Sequence, residues 1–406
     1  MSIAIPSIPA FASEKTEKKS TTDLALAGIP LYVYAVSLAS LFVIVGIIWD
    51  ISWHTTIGRD KLLSPPHLLI YLGAVFGGLF SGVQVLWNTF KASPQAKAGL
   101  VKVWGFFYSS LGALFCIWGA IAMLTSAPFD DWWHNTYGLD ITILSPPHSV
   151  LALGMMFLQF GACVGVSKYL NDANSRGTSV QTKKVLRFLY VMAAASLLTM
   201  ICTIGSEYLD TRNQRSGMFY IIAAGLVLLF LNALGRALKM RWGITLISLG
   251  YFIILAVSNW ILQIFPAEPL LGPVYNPVTH FQPLQFPILL IVPALAMDTI
   301  LHRVKKNDWI LSILMAFAFV AILALVQYPF SGFLLESPAA RGWVFGSHSW
   351  YYGASPDWEY RYKFGPWELQ SWGSFFGQLG IAFALGALVT GRLGLRWGKW
   401  LSSIQR

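Results

Sequence analysis

Residues 49–73 read WDISWHTTIGRDKLLSPPHLLIYLG, and residues 129–154 read FDDWWHNTYGLDITILSPPHSVLALG. With one residue inserted in the second stretch, Asp50 aligns with Asp130, Trp53-His54 with Trp133-His134, and Thr56 with Thr136. Gly58 aligns with Gly138, Asp60 with Asp140, and Ser64-Pro65-Pro66-His67 with Ser145-Pro146-Pro147-His148. Each stretch joins two apolar runs through a short polar loop, so the unit is a helix hairpin repeated with a period of about 80 residues. Two crossings per unit keep both copies parallel. Both polar clusters then face the same side.

The rest of the chain sets this hairpin in a membrane. Of 406 residues, 56% are hydrophobic and only 11% charged, whereas a soluble domain carries roughly 25% charged residues. That composition excludes a soluble enzyme and a disordered chain. Apolar stretches of spanning length fall near 31–50, 67–89, 103–126, 147–167, 186–206, 217–238, 242–265, 285–302, 309–330 and 373–392. The expected fold is therefore all-α, a polytopic integral-membrane bundle of about ten transmembrane helices.

Ten crossings put both termini on one side. Lys and Arg number three in the N-tail, three, five, three and three in the second, fourth, sixth and eighth connections, and four in the C-tail. The odd connections hold seven, so the positive-inside rule gives N-in and C-in. The formal charge of +10 is thus a topology signal, and no nucleic-acid partner is expected. Three regions are expected: a cytoplasmic tail at 1–29, the tandem hairpins at 30–170 and a six-helix region at 171–406. Ala10-Phe11-Ala12 resembles a cleavage site, but no basic segment and adequate apolar run precede it, so the first span reads as an uncleaved anchor. Cys116, Cys163 and Cys202 lie inside apolar spans without CxxC pairing and read as packing residues.

The hairpin loops concentrate the chemistry. Ser is a good N-cap and Pro suits the first helical position, which places His67 and His148 in the opening turns of their helices. Asp50 and His54 share a helix face by their four-residue spacing, as do Asp130 and His134. Each hairpin can therefore gather one carboxylate and two imidazoles. Six of the seven histidines and twelve of the eighteen acids fall on the outer side of this topology. Ionisable groups at the bilayer boundary are costly, and a repeated Asp/His/His set there marks a functional site. Imidazole with carboxylate suits Cu, Zn, Fe or Mn. The plainer alternative is that the repeated residues only cap and brace the hairpins. Asp60 and Asp140 read as turn caps or as partners orienting the histidines. Trp53 and Trp133 read as interface aromatics.

These residues resemble the C subunit of the copper membrane monooxygenases, the particulate methane and ammonia monooxygenases, over about residues 30–170. That family carries an intramembrane copper site of form Asp-x3-His-x12-His and a second of form Asn-x3-His-x13-His. Asp50, His54 and His67 match the first spacing; His134 and His148 match the second, with Asp130 where the family has Asn. The six later helices have no counterpart, and no cupredoxin domain is present. The resemblance implies copper, or another divalent transition metal, in a membrane oxidoreductase. It would oxidise a small apolar substrate with dioxygen, taking electrons from a quinol or a cupredoxin-like partner. It also implies assembly as a homo- or hetero-oligomer in a bacterial-type inner membrane, with the metal sites toward the periplasm. The alternative is a non-catalytic membrane protein for metal binding or delivery, or a subunit of a larger respiratory complex.

Beyond the hairpins, Glu207 in the 206–216 loop and His348 in the ninth connection (331–372) are candidates to support the metal. That ninth connection is too long and too aromatic for a simple linker, with Trp343, Trp350, Tyr351, Tyr352, Trp358 and Tyr360. It is expected to cover the outer opening of the site. No phosphate-binding loop, dinucleotide fingerprint, nucleophile elbow or HExxH motif occurs.

Overall fold

The computed structural model describes residues 25–58, 60–138, 145–304, 307–346, 351–357 and 369–405. Ten main helices follow one another: α1 (Leu31–Thr56), α2 (Pro65–Phe90), α3 (Leu111–Tyr137), α4 (Pro146–Ser175) and α5 (Val180–Ile204), then α6 (Gly217–Leu238), α7 (Gly243–Leu262), α8 (Ile291–Arg303), α9 (Asp308–Glu336) and α10 (Trp372–Leu401). All but α8 are long and apolar enough to cross a membrane among the described residues. The only strands described are two short ribbons, Ala25–Leu26 with Ile29–Pro30 and Val101–Val103 with Phe107–Ser109. The protein is an all-α, polytopic integral-membrane bundle.

Serine and asparagine set several helix starts. Ser110, Ser145, Ser179 and Ser371 each accept a hydrogen bond from a backbone N–H in the first turn of α3, α4, α5 and α10, and Asn307 does so for α9. Pro65 and Pro146 occupy the first position of α2 and α4, where no N–H is needed.

Two spans depart from expectation. The third begins at Leu111 rather than 103, because Val101–Ser109 folds into a ribbon; the helix then runs on through Asp130 and His134 to Tyr137. The eighth, expected from 285, is helical only from Ile291. Pro283 and Pro287 remove donors and push the residues before them toward extended backbone. The extended segment runs antiparallel to α7. Ile288 N donates to Tyr251 Oη at 3.0 Å, Leu289 N to Gln327 Oε1 at 2.8 Å, and Leu284 N to Asn259 Oδ1 at 3.0 Å. Irregular backbone inside an apolar bundle survives only when neighbours satisfy it in this way. At the far end of the pass the buried Asp298 accepts from Ile244 N and Thr245 N, capping α7 from another helix.

The hairpins pack side by side. α2 lies between α1 and α3, while α4 touches both of those helices. Small residues set the approach. A Cβ on Gly73 would strike Val43 and the carbonyl of Ala39, and one on Gly154 would strike Met123 and the carbonyl of Gly119. α1 is also pinned at its end: Ser52 Oγ donates to Gln282 O at 2.6 Å, and Gln282 N donates to Thr56 Oγ1 at 2.8 Å. Thr56→Val would remove that hydrogen bond and is expected to cost about 0.5–1.5 kcal/mol, read as a lower thermal midpoint in detergent.

Candidate metal centre

The last turns of α1 present Asp50 and His54 on one face. The chain then leaves the helix through Gly58, whose φ of +101° places it where glycine is favoured. Lys61 N donates to Ser64 Oγ at 2.7 Å and Ser64 N to Lys61 O at 2.9 Å, closing a tight turn just before α2. This fold-back carries Asp60 inward. Pro65 then starts α2, and His67 falls in its first turn.

Four side chains meet here. His67 Nε2 lies 2.7 Å from Asp60 Oδ2 and 3.2 Å from Asp50 Oδ1. His54 Nε2 stands farther off, 3.8 Å from Asp60 Oδ2 and 3.9 Å from Asp50 Oδ2, and its side chain is 50% exposed against 17% for His67. Burial works against ionisation of Asp60, but the hydrogen bond from His67 and the nearby His54 outweigh it and hold the carboxyl below the usual aspartate range. His67 Nδ1 is buried with no hydrogen-bond partner among the described residues.

The second hairpin builds its cluster from a helix end and a helix start. α3 stops at Gly138, φ +88°. The Gly138 carbonyl accepts a 3.0 Å hydrogen bond from His134 Nδ1, which leaves Nε2 to face Asp130. Asp130 Oδ1 lies 3.5 Å from His134 Nε2 and 3.2 Å from His148 Nε2, and the two imidazole rings are 6.0 Å apart. On the same helix end Phe129, Trp132, Trp133 and Tyr137 contact one another ring to ring. Tyr71, one turn along α2 from His67, lies within electrostatic reach of Asp50 and Asp60 on one side and Asp130 and Asp131 on the other. The two clusters therefore share a neighbour.

Asp130, His134 and His148 each offer a ligand atom within 4.8 Å of the others, and so do Asp50, Asp60 and His67. The second set is the trio expected from sequence. In the first, Asp60 joins Asp50 and His67, and His54 sits at the rim. The Asp60–Asp140 alignment hinted at this, but a loop residue has no periodicity that tells which way it faces. Asp140 and His348 lie outside the described residues. Glu207 sits in a short helix, Ser206–Leu209, and its carboxylate joins neither group.

Of the ninth connection, expected to cover the site, residues 347–350 and 358–368, with Trp350, Trp358 and Tyr360, lie outside the described residues. Tyr352 packs against Gly58, and its carbonyl accepts from Tyr275 N and Asn276 N, both at 2.9 Å. Leu270 N donates to Ile57 O at 2.9 Å, so the proline-rich seventh connection also sits on the tip of the first hairpin. Trp53 packs against Phe281 beneath it, 5.9 Å between rings.

No family model, curated protein or solved structure matches the chain. The resemblance to the copper monooxygenases rests on the motif residues themselves.

Proposed function

We propose that this protein binds a transition-metal ion at each hairpin tip and uses them in the oxidation of a small apolar molecule by dioxygen. Copper is the leading candidate, and another divalent transition metal the variant. One observation carries the reading: two separate sets of imidazole and carboxylate ligands, each within 4.8 Å of mutual approach, stand at equivalent places in two hairpins. The donor chemistry fits. Imidazole nitrogens and carboxylate oxygens form the ligand set of Cu, Fe, Mn and Zn centres. The bond from His134 Nδ1 to a backbone carbonyl is the kind that orients a metal-binding histidine.

In this reading the two hairpins are copies of one unit, supported by matched glycine contacts: Gly73 with Ala39 and Val43, Gly154 with Gly119 and Met123. The clusters face the outer, periplasmic side. The distribution of Lys and Arg supports that, as does the ion-paired set of Arg236, Asp308 and Arg392 at the opposite helix ends. A bound metal would supply Lewis acidity and redox change. The chain's own residues hold and orient it: in the second hairpin Asp130 Oδ1 lies between two imidazoles. Electrons come from a quinol or a cupredoxin-like partner, and the apolar substrate enters from the bilayer.

Elemental analysis of detergent-purified protein is expected to find two metal ions per chain, one in His67→Ala or His148→Ala, and none in the double variant. Oxygen consumption with a reduced quinol and a short-chain hydrocarbon is expected to disappear in both single variants. Absence of stoichiometric metal would sink the proposal. A second reading, metal delivery, is favoured by the accessibility of the second cluster, where the His148 side chain is 35% exposed and open to exchange. Metal binding without turnover selects it.

A further inference from the structure

We infer that the ion of the first hairpin is held by Asp50, Asp60 and His67, with His54 outside its coordination sphere; this rests on the metal reading above. The spacing Asp-x3-His-x12-His nominates His54, but the geometry favours Asp60. The Asp60–His67 approach of 2.7 Å is the shortest contact in the cluster, and Asp50 completes a close trio with them. His54 comes no nearer than 3.8 Å to a carboxylate oxygen and is half exposed. Its place on α1 is set by the helix, whereas Asp60 is delivered inward by the turn at Gly58 and the Lys61–Ser64 bonds. Tyr352 packed on Gly58 closes that turn from above.

Two consequences follow for the ligand chemistry. Two carboxylates neutralise a divalent cation completely, which favours retention in a partly buried site. An oxygen-rich set is also harder than one of two imidazoles and a carboxylate, so it shifts relative preference toward Mn(II) or Fe(II). The buried His67 Nδ1 has no partner among the described residues, so the two carboxylates are the groups that orient this ring.

The test isolates the first hairpin by working in a His148→Ala background of the full-length protein. Mn(II) and Cu(II) are titrated separately, with bound Mn(II) read by electron paramagnetic resonance and Cu(II) by competition with a chromophoric chelator. Asp60→Asn and His67→Ala are expected to weaken binding by more than about 100-fold, beyond the loss typical of an outer partner. His54→Ala is expected to change it by less than about 10-fold, within that same outer-partner range. Asp60→Glu, which keeps a carboxylate, is expected to recover part of the affinity, separating ligation from misfolding. Tight binding in Asp60→Asn with loss in His54→Ala would overturn the inference while leaving the metal reading intact. If the His148→Ala protein binds neither ion, the metal reading of this hairpin fails first and takes the inference with it.

Discussion

With a metal at each hairpin tip, as proposed, Asp130→Ala is expected to empty the second hairpin while leaving the first loaded. A single oxygen, Asp130 Oδ1, approaches both His134 Nε2 and His148 Nε2, at 3.5 and 3.2 Å. Removing it takes away one of the three proposed ligands. The loss in affinity is expected to exceed the roughly 10–100-fold that follows removal of an outer partner. Alanine is a strong helix former, and Asp130 sits within the last two turns of α3. The fold should therefore be retained, and the thermal midpoint of the metal-free protein should move little. Metal content per chain, measured before and after dialysis against a chelator, checks the first half, and a metal-free melting curve checks the second. Retention of two tightly held ions would contradict the assignment of Asp130.

Gly119→Val is expected to lower stability and to damage the second cluster from a distance. A Cβ on Gly119 would meet Gly154 O and Leu158 N, both at 2.6 Å, so the obstruction is backbone and cannot rotate away. The same seam brings Gly112 onto Gly165 and Gly161 onto Cys116. Without a hydrophobic drive between helices in lipid, such close packing is the main source of their association. Overpacking typically costs about 1–3 kcal/mol, and two β-branched methyls against a backbone fall at the upper end. Gly119 is about 16 Å along α3 from Asp130 by helix rise. Because Asp130 and His134 ride on α3 and His148 on α4, separating those helices pulls the three side chains apart. Weaker metal binding in the second hairpin with normal binding in the first is the expected pattern. Equal loss at both would mean that the hairpins do not act as separate units.

Much of the architecture was legible because lipid imposes a simple rule: a segment must satisfy its own backbone, so long apolar runs become helices. Nine of the ten expected spans are helices of spanning length among the described residues. The exceptions are proline and ribbon effects. Pro283 and Pro287 make the first part of the eighth pass extended, and its amides are satisfied by Tyr251 and Gln327 from α7 and α9, partners that no local pattern could name. In the third span, Val103, Phe106 and Phe107 extended the apolar run back to 103, so hydropathy alone did not separate the ribbon from the helix.

By itself the sequence determined that the chain is built of long apolar helices suited to a membrane and that two like stretches carry Asp and His at matched spacings near helix ends, because helix periodicity and a serine–proline start define where those side chains emerge. Only the tertiary structure decided that Asp60 turns into the first cluster while His54 stays at its rim, and that Tyr352 and the seventh connection close over that hairpin. The reason is physical: a helix carries its direction in its repeat, whereas a loop takes its direction from the turn geometry and the neighbours packed against it.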